Sequence, residues 1–277
     1  MSATQTPPVL SLTGVSVQFD RTGLFKSGAA PVLAVDGVNL TVGQREIVAL
    51  IGGSGSGKTT TVRTALGLQA ATAGQVAFSG RPLETISASG MRELRRRMQF
   101  IFQDPSEALN PRMSVQQIIM EGLDIHHVGD NRQARIAMAA AALAFVDLTP
   151  ADLFMRRHLH TLSGGQRQRV AIAAALVLEP DLVIADEPVS MLDLSVRASV
   201  LELFRRLRAE RGMSTLLITH DLASVRHLAD RIYVMDRGRI VEEGQTANVF
   251  GAPKHNYTKA LLAATAAEAQ PNHTISL

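Results

Sequence analysis

The sequence contains no cysteine. That excludes disulfides, thiolate metal sites and iron–sulfur clusters held through cysteine, and it fits a reducing compartment. No apolar run reaches the ~18–20 residues of a membrane-spanning helix. The nearest candidates, residues 136–146 and 170–178, are short and alanine-rich and read as buried helices of a soluble domain. If the protein works at a membrane, it is expected to dock onto something that spans it. Residues 1–8 are polar and carry no apolar signal core, so nothing there directs secretion. Charge of one sign is also scarce in excess: 28 Lys+Arg stand against 25 Asp+Glu, a net +3. So small an excess argues against nucleic acid as a partner, although the basic isoelectric point would tolerate an acidic membrane surface. There is no internal repeat, heptad array or long low-complexity tract.

What is present is an ordinary globular balance, 46% hydrophobic and 19% charged over 277 residues. It can bury a full core in one large domain or one domain with a small satellite. Residues 46–51 form a short apolar run followed at once by a glycine-rich turn, and residues 59–68 then have helical character. Further buried strands are expected at residues 182–185 and 215–219. Apolar strands interleaved with helices indicate an α/β fold with a parallel sheet covered on both faces. Residues 10–40 alternate more evenly, which predicts antiparallel strands with one solvated face. From about 104 to 165 helical patterns dominate, notably 115–123 and 132–146, and predict a helical insertion into a domain spanning 10–265. A last helix is expected at 260–267, with a flexible N-terminus (1–9) and a tail (266–277).

Gly52-Gly53-Ser54-Gly55-Ser56-Gly57-Lys58-Thr59 has the phosphate-loop spacing, a glycine, four residues, then Gly-Lys-Thr. Glycine suits a backbone that must curl round a polyphosphate with its N–H groups inward. The N-terminus of the following helix adds partial positive charge. Lys58 would reach the β- and γ-phosphates and the Thr59 hydroxyl would hold Mg²⁺, with Thr60 next to it in the binding set. The alternative is a plain Gly/Ser turn, against which stand Lys-Thr in register and the apolar strand in front. Leu182-Val183-Ile184-Ala185 ends in Asp186 and Glu187. Asp186 could bind Mg²⁺ and Glu187 could polarise an attacking water. Strands also end in acidic caps, so this pair gains weight only beside the phosphate loop. Leu162-Ser163-Gly164-Gly165-Gln166 precedes a helix expected to begin near Gln168. It could form a second anion nest or simply cap that helix, and physics alone does not separate the two.

Together these segments resemble the nucleotide-binding subunit of ATP-binding cassette (ABC) transporters, over nearly the whole chain. Leu162–Gln166 matches the family signature, and Gln103 in Phe102-Gln103-Asp104-Pro105 matches its Q-loop. Ser190-Met191-Leu192-Asp193 matches the D-loop, and His220 in Ile218-Thr219-His220-Asp221 matches the switch histidine. A lone His220 would more often be a core or surface histidine; its place in this ordered series makes it functional. The resemblance implies a P-loop NTPase of ABC type: a parallel-sheet core, an antiparallel β subdomain and a helical insertion subdomain. It implies two subunits packed head to tail, each ATP lying between one phosphate loop and the partner's signature. Ser163, Gly164, Gly165 and Gln166, with Asp193, would then serve nucleotide shared with the partner. Gln103 would touch Mg²⁺ and the membrane partner, Glu187 would be general base, Lys58 would hold the phosphates, and His220 would hold the γ-phosphate and water. Phe19 is the expected adenine-stacking aromatic, Phe25 the runner-up, and a core role is open for either.

Gln103-Asp104-Pro105 with Ala108-Leu109-Asn110-Pro111-Arg112 is similar to a stretch of the oligopeptide/dipeptide/nickel importers. So is Pro253-Lys254-His255-Asn256-Tyr257-Thr258, with Asn256 where that group has proline. Gly53 stands where the group usually has Glu, Ala174 where Arg is common, and Met191 where Ala is usual. The resemblance implies an ATP- and Mg²⁺-dependent ATPase on the cytoplasmic face of the cell membrane. Its partners would be a paralogous second cassette, two permease subunits and, indirectly, an extracytoplasmic solute-binding protein, with no nucleic acid and no cluster. The competing readings are a soluble ABC-type ATPase acting on nucleic acid or ribosomes, against which the single cassette and lack of heptads count, and an exporter subunit.

Overall fold

The computed structural model describes residues 6–19 and 31–268. In chain order the strands are β1 (Leu10–Phe19), β2 (Val32–Val42), β3 (Ile47–Ile51), β4 (Ala73–Phe78), β5 (Arg81–Pro82), β6 (Met98–Ile101), β7 (Leu182–Asp186), β8 (Ser214–Ile218), β9 (Arg231–Asp236) and β10 (Arg239–Gln245). The helices are α1 (Lys58–Ala65), α2 (Ala88–Arg97), α3 (Pro105–Ala108), α4 (Val115–Ile125), α5 (Arg132–Phe145), α6 (Ala151–Met155), α7 (Gly164–Leu176), α8 (Leu194–Arg211), α9 (Leu222–Leu228), α10 (Thr246–Gly251) and α11 (Asn256–Glu268).

Two sheets carry the fold. A 6-stranded sheet has the order β10-β9-β3-β8-β7-β6, parallel throughout except for the β9–β10 hairpin. A 4-stranded antiparallel sheet has the order β2-β1-β4-β5. The apolar run in each central strand is continuous because both faces are covered. Successive side chains point to opposite faces, which sorts one strand between two cores. Val48 and Leu50 of β3 join a cluster with β1, β2 and α1, whereas Ile47, Ala49 and Ile51 join one with α4, α5, α7 and α8. Each such fully buried Ile, Leu or Val side chain contributes about 1.5–3 kcal/mol.

The expected strands and the antiparallel character of the first part are present, and between β6 and β7 the described residues form helices and turns. The helices there are joined to the core by charge as well as packing. Arg169 on α7 donates to Asp147 (2.8 Å) and to Ser199 on α8 (2.9 Å), and Arg206 on α8 donates to the same Asp147 (3.0 Å). Burial pushes the Asp147 carboxyl up, but the Arg169 and Arg206 hydrogen bonds outweigh it and hold it below the usual range. The basic run at 92–97 ends α2, with Leu94 buried and Arg97 paired to Asp181 at 2.6 Å.

Three boundaries differ from expectation. Ordered packing begins at Val9, buried and donating to the Val42 carbonyl, not after it. The last helix starts at Asn256, a full turn before residue 260. And α7 starts at Gly164, not near Gln168. Ser163 is its N-cap, accepting from Gln166 N–H, while the Gln166 side chain accepts from Ser163 N–H. This reciprocal capping box offsets the poor helix propensity of the paired glycines. The expected tail from 269 onward and Phe25 lie outside the described residues.

Candidate functional site

β3, β8, β7 and β6 are neighbours in that order, so the loops leaving their carboxyl ends line up along one edge of the sheet. In open α/β sheets this edge is where ligands bind. The loops are the ones singled out from sequence: Gly52–Thr59 after β3, Thr219–His220 after β8, Glu187 after β7 and Gln103 after β6.

The β3 loop turns between strand and helix with glycine where a side chain has no room. A Cβ on Gly52 would lie 2.2 Å from the Met235 carbonyl oxygen, and one on Gly57 (φ 107) would lie 2.6 Å from the Ala34 carbonyl oxygen. Gly57 is the N-cap of α1, whose first turn holds no acidic residue, so the helix end keeps its partial positive charge. The Lys58 ammonium donates to the Gly52 and Gly53 carbonyls, each at 2.8 Å. Burial lowers its pKa, opposed by attraction to Glu187 and Asp186. Ser54, Gly55 and Thr59 are exposed at the mouth and Thr60 is half-buried, while the buried Ser56 hydroxyl has no hydrogen-bond partner among the described residues.

Glu187 adopts the left-handed region, φ 46, and its N–H donates to the Ile218 carbonyl at 2.8 Å. That kink carries its side chain across to the end of β8. There Oε1 accepts from His220 N–H (3.0 Å) and from the His220 ring at Nδ1 (2.6 Å), and Oε2 accepts from the Thr219 hydroxyl (3.2 Å). Towards an ionised carboxylate Nδ1 is the donor, which leaves Nε2 on the outer edge of a largely exposed imidazole. Asp186, at the tip of β7, has its carboxyl pushed up by burial and by Glu187, against the pull of Lys58 and Arg63.

Gln103 is exposed and its amide nitrogen donates to the Ser190 hydroxyl at 3.3 Å, and Ser190 in turn donates to the Glu187 carbonyl at 3.1 Å. Gln103 is thus linked to the Glu187 backbone through Ser190. Together with the start of α7 they border a cleft of about 240 Å³, lined by Gln103, Gly164, Arg167 and Met191 among others. Asp193 is exposed at the start of α8. Gly165 packs so tightly on α8 that a Cβ there would lie 2.5 Å from Val196, whereas a Cβ on Gly164 would meet nothing. No hydrogen bond joins Ser163–Gln166 to the phosphate loop among the described residues. Phe19 closes β1 and is 41% exposed, free to present its ring.

The residues that would offer oxygen to a divalent cation are Thr59 through its hydroxyl, Asp186 through its carboxylate and Gln103 through its amide. Among the described residues no group of three or more His, Cys, Asp or Glu is placed to hold a metal. Mg²⁺ fits such a site, because it keeps waters and takes phosphate oxygens from its substrate in preference to an all-protein cage. A cation beside Asp186 would also relieve the repulsion between two adjoining carboxyl groups.

Two residues of the site went unnoticed in the sequence. In the sequence Thr219 is the end of an expected strand and a neighbour of His220, with nothing to mark its bond to Glu187. Tyr257 was in view only as part of the tail motif, yet its hydroxyl accepts the Gly53 N–H at 2.7 Å. A separation of 204 residues leaves no local pattern from which to infer that pairing.

Comparison with known proteins gives a consistent result. The family model for ABC transporters matches residues 35–190. A putative peptide import ATP-binding protein of Brucella ovis is 44% identical over 93% of this chain and 78% of its own length. The oligopeptide transport ATP-binding protein OppF of Streptococcus mutans is 41% identical over 92% and 81%. Among solved structures, an ATP-binding cassette caught as a dimer in a post-hydrolysis state with ADP and Pi superposes with a TM-score of 0.75 at 28% identity, covering 86% of this chain and 98% of that one. The structure of cbiO1 from Clostridium perfringens, part of an ABC transporter complex, gives 0.76 at 26% identity, covering 89% and 92%.

Proposed function

This chain belongs to the ABC transporter family, and from that membership we propose that it is the ATP-hydrolysing subunit of an importer for peptides or similar small solutes. The observation that carries the proposal is the alignment of phosphate loop, glutamate and histidine along one sheet edge, in a chain whose relatives are named for peptide and oligopeptide import.

ATP is the substrate. Lys58 and the amides of the loop from Gly52 to Thr60, apart from the Gly53 N–H that Tyr257 takes, hold its phosphates, and Phe19 stacks on the base. Mg²⁺, held by Thr59, Asp186 and Gln103, supplies charge neutralisation on the phosphate oxygens. Glu187 is the general base. Its Oε1 is engaged by His220 and its Oε2 by Thr219, which leaves a lone pair on Oε2 to take a proton from water. His220, donating from Nδ1 to Glu187, leaves Nε2 to hold the γ-phosphate and that water in place. Each site is completed by a second cassette arriving head to tail, whose Ser163–Gln166 and Asp193 counterparts close over the γ-phosphate. The open space at Gly164 supports this reading, since among the described residues no contact requires glycine there. A paralogous cassette and two permease subunits are the expected partners, at the cytoplasmic face of the membrane.

The test is uptake of a labelled oligopeptide in a host cell that depends on this subunit, with Glu187→Gln in place of the wild-type chain. Uptake should stop while an unrelated solute continues to enter; peptide uptake at the wild-type rate would refute the assignment.

A further inference from the structure

The tail motif Pro253–Thr258 has so far no role beyond its resemblance to one branch of the family. In the structure it is a built device. The Glu242 carboxylate on β10 accepts the Lys254 and His255 N–H groups at 2.8 and 2.9 Å. Burial raises its pKa, but the hydrogen bonds from those two amides help to outweigh it and hold it low. His255 Nδ1 accepts the Tyr257 N–H at 3.2 Å, and the His255 carbonyl accepts from Lys259 at 3.1 Å, opening α11. Tyr257 is half-buried with its ring against the main core, and its hydroxyl is thereby fixed under the phosphate loop.

The contact falls on one peptide unit. The Gly52–Gly53 peptide donates its N–H to Tyr257 Oη at 2.7 Å and offers its carbonyl to Lys58 Nζ at 2.8 Å. Rotating that peptide would break both bonds at once. Glycine at 53 belongs to the same arrangement, because a Cβ there would stand 3.1 Å from the Tyr257 hydroxyl, with no other atom near. We propose that Tyr257 is a positioning residue for the phosphate loop, holding the Gly52–Gly53 peptide, and through it Lys58, in the orientation that receives polyphosphate. Resting on the ATP-binding reading of that loop, this makes the C-terminal segment part of the nucleotide site. Preorganisation of this kind lowers the cost of binding more than it changes the chemical step.

The experiment is steady-state ATP hydrolysis by the chain assembled with its partner subunits and carrying Tyr257→Phe, Gly53→Ala, or both, with the nucleotide-free melting temperature of each variant chain. Tyr257→Phe keeps the ring and should melt like wild type. Its KM for ATP should rise about 3- to 10-fold, the scale of one neutral hydrogen bond, with kcat little changed. Gly53→Ala should raise KM in the wild-type background and add less in the Tyr257→Phe background, because the crowding atom is gone. An unchanged KM in Tyr257→Phe, or a lower melting temperature without a KM change, overturns the proposal. So does a fall in kcat alone, or strict additivity of the two substitutions. A wild-type chain that hydrolyses no ATP with its partners present would instead overturn the functional reading.

Discussion

Replacing Glu187 with glutamine changes one atom of a carboxylate whose surroundings are fully specified. The side chain accepts from His220 N–H and ring Nδ1 at one oxygen and from the Thr219 hydroxyl at the other. The two His220 donors demand an acceptor, so the amide oxygen must take the Oε1 position. The amide nitrogen then meets the Thr219 hydroxyl, which can reverse its role and accept. The loop should therefore keep its shape, and the loss of one charge beside Asp186 removes a repulsion that now raises the Asp186 pKa. Folding stability should move by less than about 1 kcal/mol. Catalysis should not escape so lightly, because the lone pair that faced water is replaced by an N–H. Loss of a general base costs about 10²–10⁴ in rate, or about 3–5.5 kcal/mol at 1.36 kcal/mol per decade. The assay is phosphate release at saturating Mg²⁺–ATP beside direct measurement of nucleotide binding. Binding should persist while turnover collapses. Turnover within about threefold of wild type, a barrier change under 1 kcal/mol, would remove Glu187 from its role and with it the geometric argument.

Two other perturbations follow from the same structure. Lys58→Ala should weaken nucleotide binding about 10- to 150-fold, the worth of a hydrogen bond to a charged group. It should leave the nucleotide-free melting temperature almost unchanged, since burial already disfavours the ammonium; isothermal titration and a thermal melt read the two separately. Asp147→Asn probes the tie between α7 and α8 through pH. The folded Asp147 carboxyl titrates below its ordinary 3.8, so its contribution is complete above that value and drains as pH falls through the lower folded value. With a half-exposed side chain the effect is no more than about 1 kcal/mol. Wild type should melt higher than Asp147→Asn near neutral pH, and the gap should close in strong acid.

The parts of this molecule that could be read in advance are those where function and backbone share a local pattern. Lys58-Thr59 after paired glycines, and Asp186-Glu187 after an apolar run, each carry strand, turn and chemistry within a few residues. Helix propensity counts against two glycines and sets the expected start of α7 near Gln168, whereas Ser163 and Gln166 stand at the spacing of a capping box, and the capping alternative is the one the structure shows. The β9–β10 hairpin went unnamed, its turn at Asp236-Arg237-Gly238-Arg239 notwithstanding, because β10 is mostly half-buried and shows little alternation. The link from Gln103 to Ser190 and that from Gly53 to Tyr257 depend on which loops the sheet order sets side by side, and no window along the chain contains that order.

The backbone of Glu187 has a meaning outside the reaction. A non-glycine residue in the left-handed region costs on the order of 1–3 kcal/mol, which glycine would not incur. Selection for folding alone would therefore drift position 187 towards glycine or asparagine while sparing the apolar core around it. A descendant released from transport duty should lose this glutamate early and its fold late.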